Sequence, residues 1–286
     1  MEWSFERVAG PFNLTEGPVW DGKRLLFTAT FDSEIKSFDP STGECSVFAR
    51  DTGKGNGMFL DQQTNLLVCE GAGRRVARYQ EDGQRVTLAS HFDGRRLNQP
   101  NDIVADNKGR VWFSDPCYYD RETMELDHES VYRLDPQSDG CYSITRATFD
   151  TLCPNGLVFS HDQATLYVSE MPEAPRAPRQ LRAYRVQTDG SLGEPKILHD
   201  FGPHRGIDGM RIDKDGNVVA ACGWPESGPG PRIAVFSPSG EVLEDHPVPT
   251  TPTNCSFGDS DLQTLYVTGY DGCLYRARTH RQGYIQ

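Results

Sequence analysis

No stretch of this 286-residue chain approaches the roughly 18 consecutive apolar residues that a membrane-crossing helix needs. The opening MEWSFERVAG also lacks the basic-then-apolar form of a signal peptide. A cytoplasmic protein with no membrane partner is expected. Positive charge is scarce: 29 Lys and Arg stand against 41 Asp and Glu, a formal net charge of −12. A field of that sign disfavours nucleic acid and tends to repel an anionic substrate unless a cation sits in the site. The eight cysteines (Cys45, Cys69, Cys117, Cys141, Cys153, Cys222, Cys255 and Cys273) form no CxxC pair. Without an export signal they are expected as reduced, mostly buried thiols. The seven histidines show neither HxxxH nor HExxH spacing, and no GxSxG elbow occurs, so neither a zinc protease helix nor an α/β-hydrolase nucleophile is supported. Helical periodicity is missing too; no amphipathic 3.6-residue pattern runs long enough to predict a helix.

What the sequence does contain is one phrase, repeated. PNDIVADNKGRVWFSDP begins at Pro100 and PNGLVFSHDQATLYVSE at Pro154. The same form returns in TEGPVWDGKRLLFTA from Thr15, GNGMFLDQQTNLLVCE from Gly55, IDGMRIDKDGNVVAAC from Ile207 and TNCSFGDSDLQTLYVTG from Thr253. Each copy holds a polar anchor, a short strand, a polar turn and a second strand ending in a small residue. The anchors are Glu16, Asn56, Asn101, Asn155, Asp208 and Asn254, spaced 40, 45, 54, 53 and 46 residues apart. Further alternating runs between the copies, such as SVYRLDP and YSITRATF, bring each repeat to four strands. Six such units predict an all-β, six-bladed β-propeller with four antiparallel strands per blade, occupying residues 1–286 as one domain. The sixth copy is one strand short, so the N-terminal SFERVAG is expected to supply its outer strand and close the ring, leaving no open sheet edge.

In that register all six anchors head inner strands at one end of the central tunnel. Two carboxylates and four asparagines make an oxygen-rich ring suited to a hard divalent cation, Ca²⁺ before Zn²⁺. Simpler readings compete. Asn155-Gly156 and Asn56-Gly57 have the composition of tight turns, a reading that fits Asn56-Gly57 better. DKDG at 213–216 resembles the start of an EF-hand loop but reads as the hairpin between two strands. His204, four residues before Asp208, is a candidate to support that aspartate or carry a proton.

Taken together, TEGPVW, LNQPNDIVADNKGRVWFSDP, PNGLVF, GIDGMRID and PTNCSFG resemble the senescence-marker-protein/gluconolactonase/regucalcin family of six-bladed propellers, in order and over essentially the whole chain. Diisopropyl-fluorophosphatase and paraoxonase types are related propellers. The resemblance implies one divalent cation, often calcium (with Zn²⁺, Mn²⁺, Mg²⁺ or Fe²⁺ as alternatives), held by Glu16, Asn101, Asn155 and Asp208. Asn56, Asn254 and Asp102 would support that set from behind. It also implies hydrolysis of lactones, typically small sugar lactones, with organophosphates cleaved by some members. Two departures stand out: Gln99 where some relatives carry a substrate-contacting Arg, and Ile207 where Pro often precedes the aspartate. Asp208 is the expected general base, or the nucleophile. Long connections at 115–130, 170–180 and 223–231 are expected to shape specificity, with Gln99, Tyr118, Glu129, Glu170 and Trp224 as wall residues. Three readings stay open: a metal-dependent sugar lactonase, a phosphotriester or ester hydrolase at the same metal, and a non-enzymatic Ca²⁺-binding propeller.

Overall fold

The computed structural model describes residues 2–118, 121–172 and 179–284, so residues 119–120 and 173–178 of two long connections lie outside what is described. Six four-stranded antiparallel sheets account for nearly all of the regular structure. A two-residue-per-strand hairpin, His91–Phe92 with Arg95–Arg96, and a single 3₁₀ turn at Arg121–Thr123 complete the described elements. The inner strands are Thr15–Trp20, Gly55–Leu60, Ile103–Ala105, Pro154–Phe159, Ile207–Ile212 and Pro252–Gly258. Each packs against the inner strand of the next blade, and the sixth packs against the first, which closes the ring.

Closure uses the predicted segment. Glu6–Ala9 pairs antiparallel with Leu274–Arg278, so the last blade takes its outer strand from the chain's beginning. Trp3 extends the seam: its ring stacks on His246 at 3.9 Å, its backbone N–H donates to His246 Nδ1 and its indole N–H to His280 Nδ1. Between blades lie apolar clusters, for example Trp112 edge-on to Phe159 at 5.6 Å, each such side chain contributing about 1.5–3 kcal/mol by leaving water. All eight cysteines are free thiols; Cys45 and Cys141 are exposed and the other six buried.

The hairpin between inner and second strands is built alike in each blade. In blade five the Asp213 carboxylate accepts from the N–H groups of Asp215 and Asn217 and Gly216 takes a φ of 87°, a turn of the kind expected for DKDG. The Asn-Gly pairs are a different matter. Asn56-Gly57 and Asn155-Gly156 lie inside inner strands, not at turns, which corrects the turn reading of Asn56-Gly57. Their glycines serve close packing between blades. A Cβ on Gly57 would stand 2.7 Å from the Asn101 carbonyl oxygen, and one on Gly156 2.3 Å from that of Asp208. Gly17 and Gly209 meet Asn56 and Asn254 in the same way. After four of the six anchors the next residue is therefore glycine, because the neighbouring blade presses against it; Asp102 and Cys255 follow the other two.

Candidate active site

Regular pairing slips at or just after the anchor in four blades, between Glu16 and Val19, Gly55 and Met58, Pro154 and Leu157, and Ile207 and Met210, and just before Asn254 in the sixth. Such bulges re-aim a side chain that strict alternation would send into the sheet. At this end of the tunnel Glu16, Asn101, Asn155, Asp208 and Asn254 are all buried, and Asn56 is half-buried. Asn101 Nδ2 donates to Asn155 Oδ1 at 2.7 Å, and Asn155 in turn hydrogen-bonds the Asp208 carboxylate. On the opposite side Asn254 Nδ2 and the Gly17 N–H both donate to Glu16 Oε2, at 3.1 and 2.6 Å. Five sequence-distant anchors are thus joined, since Glu16 and Asp208 also act on each other, and Asn56 lies on the inner strand next to that of Glu16.

The ring is electrostatically crowded. Burial pushes Glu16 well above the usual carboxylate range, and the nearby Asp208 and Asp102 push it further. Burial raises Asp208 to about 6 against the pull of Arg205 and the Asn155 hydrogen bond. Asp102 is buried behind the ring, where burial raises it while the Arg211 guanidinium holds it back. Its Oδ2, and Oδ1 of Asn56, are buried oxygens with no hydrogen-bond partner among the described residues. Closely spaced, incompletely satisfied oxygens fit a hard cation, which takes carboxylate and amide oxygens together. Among the described residues no three His, Cys, Asp or Glu side chains converge as a metal site. A cation here would therefore depend on the asparagines as well as the carboxylates.

Arg205 was not foreseen. Its Nη2 donates to Asp208 Oδ2 at 2.5 Å, while Nη1 reaches the carbonyls of Gly223 and Pro252, both at 3.1 Å. The neighbouring His204 is exposed and lies against Gly228. The supporting role expected of His204 falls to Arg205, since only the arginine is turned inward. Tyr270, half-exposed after the second strand of blade six, lies 5.4 Å from the Arg205 guanidinium and was missed as well. The only hint of Arg205 in the sequence was a basic residue three positions before an anchor.

The expected wall residues separate into two groups. Tyr118 reaches the ring: Asp208, Glu16 and Tyr270 all act on its hydroxyl. Gln99 Oε1 accepts from the Tyr118 N–H at 2.8 Å, so Gln99 stands beside the site and braces its rim. Trp224 is 43% exposed at the tip of a blade-five hairpin, on the rim and not a floor. Glu129 is buried, accepts from the Cys117 N–H at 2.7 Å and pairs with Arg121, which fixes the start of the 115–130 connection. Glu170 is fully buried and accepts from the N–H groups of Leu152 and Cys153, at 3.0 and 2.5 Å. It holds the segment that leads into Asn155. Asp115 does the same for Asn101, accepting from the Asn98 N–H at 2.8 Å, and burial pushes it up to about 8. These acids hold the segments that lead into the ring.

A closed propeller with a buried carboxylate–asparagine ring at one mouth of its tunnel defines a class of protein. The chain belongs to the SMP-30/Gluconolactonase/LRE-like family, whose model matches residues 14–270. It is 30% identical to a gluconolactonase of Zymomonas mobilis over 97% of this chain and 82% of that protein. It is 31% identical to a pentonolactonase of Haloferax volcanii, over 91% of this chain and 83% of that one. Among solved structures it superposes on a gluconolactonase of Xanthomonas campestris with a TM-score of 0.83 at 30% identity, covering 96% and 89% of the two chains.

Proposed function

We propose that this protein is a gluconolactonase-type lactonase that opens the ester of a small sugar lactone at the tunnel mouth. The observation that carries the reading is the burial of Glu16 and Asp208 beside Asn101 and Asn155 at one point, in a family whose similar relatives are named for lactone hydrolysis. Glu16, Asn101, Asn155 and Asp208 would hold one divalent cation, with calcium favoured by the hard oxygen set. When bound, such an ion polarises a carbonyl oxygen and offsets the negative charge that develops on it.

The protein's own groups do the rest. Arg205 and Asn155 fix the Asp208 carboxylate, so its free oxygen edge can take a proton from water as that water adds to the lactone carbonyl. The same proton then goes to the ring oxygen as the C–O bond breaks. The Asn101–Asn155 hydrogen bond keeps the two amides in register. Tyr270 and Trp224 bound the mouth and limit what enters.

The test is a pH-stat assay on glucono-δ-lactone, with and without chelator, alongside metal analysis. Chelation should abolish turnover, and Asn155→Ala should lower both bound metal and kcat, the latter by at least about 100-fold. If Asn155→Ala keeps full turnover and full metal content, the central-site reading fails.

A further inference from the structure

Tyr118 is placed by more contacts than a rim residue requires. Its backbone N–H is held by Gln99 Oε1 at 2.8 Å, and the preceding Cys117 N–H by Glu129 Oε2 at 2.7 Å. Two consecutive amides of the connection are thus pinned by side chains from different segments. The hydroxyl they position is buried and has no hydrogen-bond partner among the described residues. Buried hydroxyls without a partner are disfavoured and persist where something else uses them. A tyrosine hydroxyl, with an ordinary pKa of about 10, keeps its proton throughout the neutral range. A protonated phenol surrounded by acids, yet bonded to none of them, is a donor without an acceptor. An oxygen of a ligand lying between the tyrosine and the ring would supply that acceptor.

We propose that Tyr118 is a catalytic hydrogen-bond donor whose hydroxyl contacts the lactone carbonyl oxygen and holds it as it becomes an oxyanion. This rests on the lactonase reading. As water adds to the carbonyl carbon, the C=O π pair moves onto that oxygen, and Tyr118 donates to it without giving up its proton. The pair returns when the ring C–O bond breaks, and the proton taken from water leaves with the ring oxygen. A fixed donor aimed at developing charge accelerates the step because it strengthens only in the transition state.

The test is Tyr118→Phe, which removes one oxygen and no packing volume. On glucono-δ-lactone, kcat should fall about 100-fold while KM stays within about threefold. Bound metal and melting temperature should match the wild type. In a measurement without turnover, a six-membered cyclic phosphonate mimicking the tetrahedral oxyanion should lose about 100-fold in affinity for the variant, and gluconate should lose little. Unchanged kcat and phosphonate affinity in an active background overturn the role of Tyr118 alone. So does a KM rise that accounts for the whole loss. A wild type that binds metal but opens no lactone overturns the lactonase reading beneath it.

Discussion

The two ends of the central tunnel are made by the same six inner strands, yet they are opposites. At the anchor end, carboxylates and amides crowd into a buried ring with oxygens left unsatisfied. At the far end Arg211 crosses from blade five, and its guanidinium donates to the carbonyls of Pro18 and Met58, both at 3.3 Å. Around it Trp20, Phe59, Leu60, Phe257 and Tyr284 line a small cavity of about 70 Å³. Bulges at or beside the anchor in five of the six blades accompany the change of character. Before the slip the chain turns a polar side chain into the tunnel; after it, regular pairing resumes and apolar side chains pack. One end gathers buried polar groups; the other is crossed by an arginine among apolar side chains. Between the ring and that arginine lies Asp102, a buried anion facing its counter-cation.

Asp208→Asn should break the comparison most strongly. It keeps shape while removing the base, so kcat on a lactone should drop by about 10³-fold. Stopped-flow or pH-stat rates, read beside an unchanged circular dichroism spectrum, check it; wild-type rates would remove Asp208 from the chemistry. At the other end Arg211→Met should cost stability. It strips Asp102 of its counter-charge and leaves the Pro18 and Met58 carbonyls without that donor, a loss of about 3 kcal/mol by urea denaturation. Should Arg211→Met leave the urea midpoint in place while abolishing binding, the far end is part of the site and the division fails.

The smallest effect concerns the seam that both ends need. Burial lowers His246, although Glu244 works the other way, and the Nδ1 atoms of His246 and His280 both accept from Trp3. The native seam therefore excludes a proton that the unfolded chain binds below its ordinary value of 6.5. Stability should decline as pH falls through that value, by about 1 kcal/mol or less. Glu244 acts in a separate window. Burial opposes its ionisation, but Arg281 and His246 hold it down at about 2, so its contribution is present at neutral pH and is lost only as pH falls below about 4.5. Urea midpoints at pH 7.5 and 5.5 for wild type and His246→Gln should show the difference shrinking in the variant. An equal pH dependence in both proteins would remove His246 from the seam.

Much of this was open to reading in the sequence because repetition exposes it. A side chain at one strand position, repeated six times, must occupy one level of a ring once the units are packed radially. The closing role of Glu6–Ala9 follows from counting strands. Glu129 and Glu170, by contrast, read as wall residues because they sit beside long connections. Burial and backbone N–H donors made them braces instead. His204 and Arg205 are adjacent, and only the turn of the backbone before Ile207 decides which of them faces Asp208.

The sequence by itself determined the number of blades, their order, the closing strand and the six anchors, since these depend on period and alternation along the chain. Tertiary structure alone decided which groups serve the anchors. Asn254 meets Glu16 across 238 residues and Arg211 meets Pro18 across 193. Such pairings depend on how far each blade is rotated and where each strand bulges, and no local pattern encodes either. Tyr118 shows the same division: the sequence put an aromatic residue near the mouth, and only the packed ring left its hydroxyl buried near two carboxylates with no partner among the described residues.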